Sequence, residues 1–304
     1  MVRHLLTAAD LDRGSIDKIL EYASLAENGN LSLQGKILGF LFLSESTRTS
    51  SSLKAAIIKA GGGWLGIEGK EGTYLKPKDI PVRESFIDAA DSISMFADYL
   101  AVRGDVGPET LRHVPIPVLN AGLGDDHCLV ATWLLYSLYK RFGRIDGLTI
   151  GVVGLARYST PVKSVYRILA NFKVRFYEDS SVDEAGTQLE TIQTILINGA
   201  SFEKSPIGSF IDSVDCLIMA DCLGQEGDDK SIIQQFNDRF QPLTTRSLSG
   251  LKSQSVLIYF MPRLTTDGRL TVDKCLDTHP NLYNREFFRD GIFCNVGILA
   301  HLNP

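Results

Sequence analysis

No segment of this chain approaches the roughly 20 uninterrupted apolar residues of a membrane-spanning helix, so nothing in it reads as a membrane protein. Cysteine is sparse. The five residues, Cys128, Cys216, Cys222, Cys275 and Cys294, are odd in number, scattered, and set in apolar surroundings such as VDCLIMADCL. That pattern reads as reduced core thiols rather than a disulfide framework. No Cys-x-x-Cys pair and no His/Cys cluster has zinc-ligand spacing, which argues against a metal site. Basic charge is also short: the formal net charge is −5, whereas a nucleic-acid binder carries a basic surplus or stripe. Anionic ligands must then be met locally. Repeats of fixed period and low-complexity tracts are absent, which excludes solenoids and linker-like architectures. The opening MVRHLLTAADLDRGSIDKIL reaches acidic residues too early for a signal peptide, so it is expected to join the fold of a cytoplasmic protein.

What is present is the balance of a soluble globular chain, 44% hydrophobic and 22% charged. At 304 residues a single core gives way to two domains. Short apolar runs alternate with helical patterns. KILGFLFL precedes a helix from Arg48 to Ala60, YLAVR and IPVLN flank short helices, and LTIGVVG precedes a helix from Arg157 to Ala170. VRFYE precedes a helix from Gln188 to Ile197, and DCLIM and SVLIYF complete the series. Such alternation predicts an α/β fold with parallel sheets covered on both faces. A long helical pattern from His127 to Phe142 is followed by GRIDG and a fresh strand at Leu148. The expected domains are therefore 1–141 and 142–285, with 286–304 as an amphipathic closing helix that packs back on the first.

Open parallel sheets bind ligands at the carboxyl ends of their strands. The polar and glycine-rich stretches fall at such ends: SESTRTS, VRGD, LNAGLGDDH, GLARYSTP, MADCLGQ and MPRL. In the first of these, hydroxyls crowd around Arg48 at the junction of a strand and a helix. One reading is a capped helix start. The other is an anion site in which helix N–H groups, hydroxyls and a guanidinium converge on a phosphate.

The wider pattern resembles the aspartate/ornithine carbamoyltransferase family, its aspartate branch most closely. SESTRTSSSLKAAIIKAGG resembles the family's Ser-Thr-Arg-Thr phosphate signature with its helix and paired glycines. RESFIDAADSISMFADYLAVRGD resembles the helix and strand that deliver a second arginine, here Arg103. IPVLNAGLGDDHCLVATWLLYSLYKRFGRIDGLTIGVVG resembles the segment that carries a histidine, here His127, and joins the domains. YFMPRL stands where the family has His-Pro-Leu-Pro-Arg, and RDGIFCNVGILA matches its closing helix.

The resemblance implies two doubly wound parallel-sheet domains linked by interdomain helices, and a homotrimer with active sites at subunit interfaces. It implies a phosphate pocket made by Ser46, Thr47, Arg48 and Thr49. Arg103 would contact phosphate and carbonyl oxygen, and His127 would donate to the carbonyl, with Thr49 as a third donor to the growing oxyanion. Backbone carbonyls of Met261 and Pro262 would accept from the carbamoyl NH2. No metal or organic cofactor enters such chemistry, and the partners are small molecules, with no nucleic acid and no membrane.

Departures from the pattern shape the expected function. The family reads His-Pro-x-Gln, but here Cys128 replaces the proline and Val130 the glutamine that touches the carbamoyl nitrogen. The lysine donated by a neighbouring subunit falls at Val82, with Lys76, Lys78 or Arg83 as substitutes. The two arginines that hold the aspartate carboxylates fall at Thr160 and Asp221, although Arg157 and Lys163 stand nearby. A carboxylate in place of a guanidinium reverses the local charge. The expectation is thus a carbamoyltransferase-like enzyme that moves a carbamoyl or related acyl group from carbamoyl phosphate or another acyl phosphate to an amine acceptor other than aspartate. The alternatives are a non-catalytic paralogue that binds an anionic metabolite or a partner subunit, and a divergent aspartate carbamoyltransferase. A nucleotide-binding protein is a weaker rival, because GVVGLARYS lacks Gly-x-Gly-x-x-Gly.

Overall fold

A strand that is apolar at nearly every position needs cover on both faces, and Ile37–Phe42 is such a strand, buried at all but its first residue. The computed structural model describes residues 3–44, 46–68, 85–179, 181, 186–223 and 228–303. The chain divides into two units, Met1–Tyr136 with Phe288–Pro304, and Ser137–Phe287. The first unit runs α1 (Arg13–Glu27), β1 (Ile37–Phe42), α2 (Thr47–Lys59), β2 (Gly63–Glu68), α3 (Phe86–Ser94), β3 (Tyr99–Gly104), β4 (Val118–Leu123) and most of α4 (Cys128–Phe142). Its four strands pair in parallel in the order β2-β1-β3-β4.

The second unit runs β5 (Thr149–Val153), α5 (Thr160–Leu169), β6 (Arg175–Asp179), α6 (Leu189–Ile197), β7 (Ser201–Ser205), α7 (Ile207–Phe210), β8 (Cys216–Met219), α8 (Lys230–Arg239) and β9 (Val256–Tyr259). These strands are also all parallel, in the order β7-β6-β5-β8-β9. The last helix, α9 (Asn284–Leu302), closes the chain. The expected architecture of two parallel-sheet α/β domains is the one observed. In each sheet the chain reverses its direction of growth once, between β1 and β3 and between β5 and β8. At such a switch the loops leaving adjacent strands diverge to opposite faces and leave a crevice beyond the carboxyl ends.

Two strands, β2 and β7, were not foreseen in the sequence. Both are edge strands with polar or glycine-rich sequences, and neither has a fully buried residue. Helix α5 begins at Thr160 rather than Arg157, because Ser159 takes the N-cap and Pro161 occupies the first turn, where its missing N–H costs nothing. Arg157 therefore sits in the turn that leaves β5.

A buried hydrogen-bond chain ties the first unit's helices to the start of α2. Trp133 Nε1 donates to Asn295 Oδ1 at 2.7 Å, and Asn295 Nδ2 donates to Ser52 Oγ at 3.2 Å. Ser52 Oγ in turn donates to the Thr49 carbonyl at 2.9 Å. Trp133, Asn295 and Ser52 are all buried, and Gly291 lets α9 approach the indole, since a Cβ there would press on the ring at 2.7 Å. Replacing Asn295 with Leu should orphan the Trp133 N–H and cost about 1–3 kcal/mol, read from the urea midpoint. Adding Trp133→Phe should then cost less than the sum of the single changes, because the orphan is removed. Strictly additive losses would show that this chain of bonds is not a coupled unit.

Candidate active site

Helix α2 starts one residue beyond Ser46, and the Ser46 side chain makes no capping hydrogen bond. The capping role does not use its hydroxyl. The first N–H groups of any helix lack i−4 carbonyls, and the positive end of the macrodipole adds to their pull on anions. Thr47 and Arg48 are exposed at this N-terminus, while Thr49 turns inward and is 4% exposed. The Ser-Thr-Arg-Thr stretch thus presents hydroxyls, helix N–H groups and a guanidinium at the carboxyl end of β1.

Arg103 reaches the same place from β3, where its Cα pairs with that of Phe42 at the end of β1. Its Nη1 donates to the Ala121 carbonyl at 3.0 Å. Gly122 makes this possible: it has φ of 117°, and a Cβ there would collide with the guanidinium. Asn120 shapes the turn, accepting the N–H groups of Gly122 and Leu123 at 2.8 and 2.7 Å. The Nε of Arg103 is shielded from solvent and has no hydrogen-bond partner. Burial, with Arg48 as the second cause, lowers the pKa of Arg103. An N–H of a cation held without an acceptor invites an anion.

His127 directly precedes α4 and is 8% exposed. Its Nε2 lies 3.3 Å from Thr49 Oγ1. Burial first, then Arg103 and Arg48, pull its pKa from 6.5 to about 3, so the ring is neutral at physiological pH. The Asp126 carboxylate beside it is committed elsewhere, accepting the Ala8 N–H at 2.8 Å and the Cys128 thiol at 3.5 Å. Arg48, Thr49, Arg103 and His127 are therefore one cluster, a cationic pocket with a neutral imidazole and a hydroxyl at its floor. Gly122 and Asn120, which aim Arg103, were missed in the sequence; the Asn-x-Gly of LNAGLG was the available signal.

The second unit gathers its own group at the switch between β5 and β8. Ser159 Oγ donates to Asp221 Oδ1 and also accepts the Val162 N–H at 3.4 Å. Thr160 is 8% exposed in the first turn of α5. Arg157, in the preceding turn, has an Nε shielded from solvent without a hydrogen-bond partner. Met261 and Pro262 follow β9, joined by a cis peptide. Arg263 pairs with Asp277, through Nη1 to Oδ1 and through Nη2 to Oδ2 at 3.2 Å.

At the two breaks in His-Pro-x-Gln, Cys128 is wholly buried and Val130 half-buried. Val82 and its substitutes Lys76, Lys78 and Arg83 lie outside the described residues. Among the described residues no group of three or more His, Cys, Asp and Glu is placed to hold a metal ion, and no helix is long and apolar enough to cross a membrane.

Residues 3–131 match the family described as aspartate/ornithine carbamoyltransferase, carbamoyl-P binding domain. The aspartate carbamoyltransferase catalytic subunit of Archaeoglobus fulgidus is 27% identical over 312 aligned residues, covering 99% of this chain and 99% of the relative. That of Thermococcus kodakarensis is 34% identical over 185 residues, 58% of each chain. The solved catalytic subunit of M. jannaschii aspartate transcarbamoylase has a TM-score of 0.84 at 24% identity, covering 99% of this chain and 97% of its own. Trypanosoma cruzi aspartate transcarbamoylase in complex with carbamoyl phosphate has a TM-score of 0.84 at 21% identity, covering 98% and 94%. At these identities the structural likeness is one of fold.

The expected acceptor other than aspartate is overturned by these relatives, since those that span the chain end to end are aspartate carbamoyltransferase catalytic subunits. The physical error lay in counting Asp221 as an open carboxylate. It accepts the Ser159 hydroxyl at the positive end of α5, which offsets its charge. Taken together, residues 3–131 match the carbamoyl-P binding domain of the aspartate/ornithine carbamoyltransferases, and along nearly its whole length the chain is similar to aspartate carbamoyltransferase catalytic subunits.

Proposed function

We propose that this chain transfers the carbamoyl group of carbamoyl phosphate to L-aspartate. The observation that carries the reading is the cluster at the start of α2, where Thr49 and His127 lie 3.3 Å apart beside two guanidiniums. Ser46, Thr47 and Arg48, with the helix N–H groups, hold the phosphate. Arg103 spans phosphate and carbonyl oxygen. Thr49, Arg103 and neutral His127 donate to the oxygen that gains negative charge as the amine attacks, and phosphate then departs into the cationic pocket. Orientation and oxyanion stabilisation supply the rate, with no group on the protein changed covalently. Backbone carbonyls of Met261 and Pro262 are assigned to the carbamoyl NH2.

Arg157 is assigned to an aspartate carboxylate, because it offers a shielded N–H without a partner in the turn beyond β5. Thr160 and Asp221 then hydrogen-bond around the acceptor. The homotrimer implied by the resemblance belongs to the same proposal, and sedimentation velocity reads it directly.

Arg48→Ala should weaken carbamoyl phosphate and inorganic phosphate by about tenfold to a hundredfold in titration calorimetry, with the fold retained. Gly122→Ala should weaken both in the same direction by displacing Arg103. Unchanged phosphate affinity in both variants would refute the pocket.

His127 makes a prediction about pH. Its folded pKa, about 3, lies below its ordinary 6.5. The unfolded chain binds that proton first, so the stability linked to the neutral ring is complete above pH 6.5 and is lost as pH falls toward 3. Thermal midpoints of the parent should drop across this window with a slope that His127→Asn reduces. In kinetics, His127→Ala should lower kcat by about a hundredfold, and the parent should show no limb from this ring near neutrality. Equal slopes in parent and variant would mean that His127 titrates normally.

The acceptor is tested by the product. Purified protein with carbamoyl phosphate and L-aspartate should form carbamoylaspartate, measured by mass spectrometry. Arg157→Ala should raise KM for aspartate about tenfold or more while leaving carbamoyl phosphate binding intact. Phosphate-pocket binding with no carbamoylaspartate formed would reduce the chain to a carbamoyl phosphate binder and end the aspartate proposal.

A further inference from the structure

The amino end of the first sheet holds a second concentration of cationic groups. A cavity of about 610 Å³ is lined by Arg3, His4, Asp10, Arg112, His113 and His301, with aliphatic side chains between them. It lies away from the Arg48 cluster: the His4 ring meets Val118, the first residue of β4, whereas His127 follows the other end of that strand. The volume falls within the roughly 300–1,000 Å³ of small-molecule sites.

The wall carries more positive than negative chemistry. Its one carboxylate, Asp10, is committed: Oδ2 accepts the N–H groups of Leu6 and Thr7, both at 2.8 Å, and Oδ1 lies 3.6 Å from Arg112. Arg112 also bonds Glu109 at 2.6 Å, and His113 meets Asp91 at 3.2 Å. Arg3, by contrast, has no carboxylate partner among the described residues; its Nη1 donates to the His301 carbonyl at 3.3 Å. His4 accepts the Val118 N–H at Nδ1, 3.2 Å away, so the neutral ring carries its proton on Nε2 as a donor. His301 is 8% exposed, and its Nδ1 is buried with no hydrogen-bond partner. Donors thus outnumber acceptors, and their apolar surroundings strengthen any ion they meet.

We propose that this cavity binds a small organic anion, with phosphate, sulfonate or carboxylate groups on an apolar body, at a site separate from the one assigned to carbamoyl phosphate. The acid groups pair with Arg3 and the imidazoles, and the body lies against the aliphatic wall. In the ligand-free protein, burial first and then the Arg112 charge hold His4 below its ordinary pKa, with Asp10 and a hydrogen bond to the Arg112 backbone opposing. Burial first, then Arg3 and Lys18, do the same to His301, with Asp12 opposing. A bound anion favours the charged rings, so the complex takes up protons and tightens as pH falls.

The test uses the full-length protein carrying Arg48→Ala, so that the phosphate pocket does not contribute, and 1,3-benzenedisulfonate, whose charge is constant near neutrality. Titration calorimetry should show saturable binding that tightens about tenfold between pH ~8 and pH ~6, with proton uptake that follows buffer ionisation heat. Arg3→Gln should weaken it about tenfold, and uncharged resorcinol should not compete. In the wild-type protein, the disulfonate should protect His4 and His301 from diethyl pyrocarbonate, read by peptide mass, while His279 of the second unit stays reactive. No saturable binding at pH ~6, or binding indifferent to Arg3→Gln with no protection of His4 and His301, would overturn the proposal.

Discussion

The site on the first sheet depends on one constraint: a guanidinium turned inward must find acceptors or remain poorly solvated. Arg103 finds one acceptor in the Ala121 carbonyl and leaves its shielded Nε without another. The arrangement exists because Gly122 has no side chain and because Asn120 bends β4 away from regular pairing, visible as the register shift between Val102 and Gly104. Arg48 brings a second like charge close enough to depress both Arg103 and His127. Repulsion of this kind is costly, and an anion between the two guanidiniums would offset it. Burial first, and then the same field, keep His127 neutral, so that its ring adds no third charge to the cluster.

The second sheet poses the problem with the sign partly inverted. Its switch point holds a carboxylate, Asp221, and a cation, Arg157, on the loops that leave β8 and β5. Asp221 is satisfied by Ser159 and by the start of α5, whereas Arg157 Nε is not satisfied by protein. A charge already bonded to its own scaffold repels less than its formal value implies. The residue type at a position therefore says less about ligand charge than the partners that residue has already taken.

That distinction marks how far the sequence was legible. The buried strands β1, β5 and β8 and the helices behind them follow from apolar runs and their turn residues, and so does the sheet architecture. The stretch around Arg48 was legible because its hydroxyls and cation stand at a strand–helix junction, where backbone N–H groups are exposed by geometry alone. The edge strands β2 and β7 were not, since half-exposed, polar pairing leaves no hydrophobic period. The commitment of Asp221 to Ser159 was equally invisible, because it joins residues 62 positions apart. The start of α5 could have been read from Ser159 and Pro161, and the correct start is what moves Arg157 out of the helix and into the turn.

A shielded donor without an acceptor also links stability to occupancy. Leaving such a group unmade costs about 1–3 kcal/mol, and a ligand that supplies the acceptor returns that free energy only to the folded state. Stability then rises with ligand concentration by mass action. Arg103 and Arg157 both lie where strands end and loops diverge, so the cost falls on those ends and spares the sheet interiors. The buried chain from Trp133 through Asn295 and Ser52 to the Thr49 carbonyl offsets it in the first unit, fixing the start of α2 by bonds that no ligand touches.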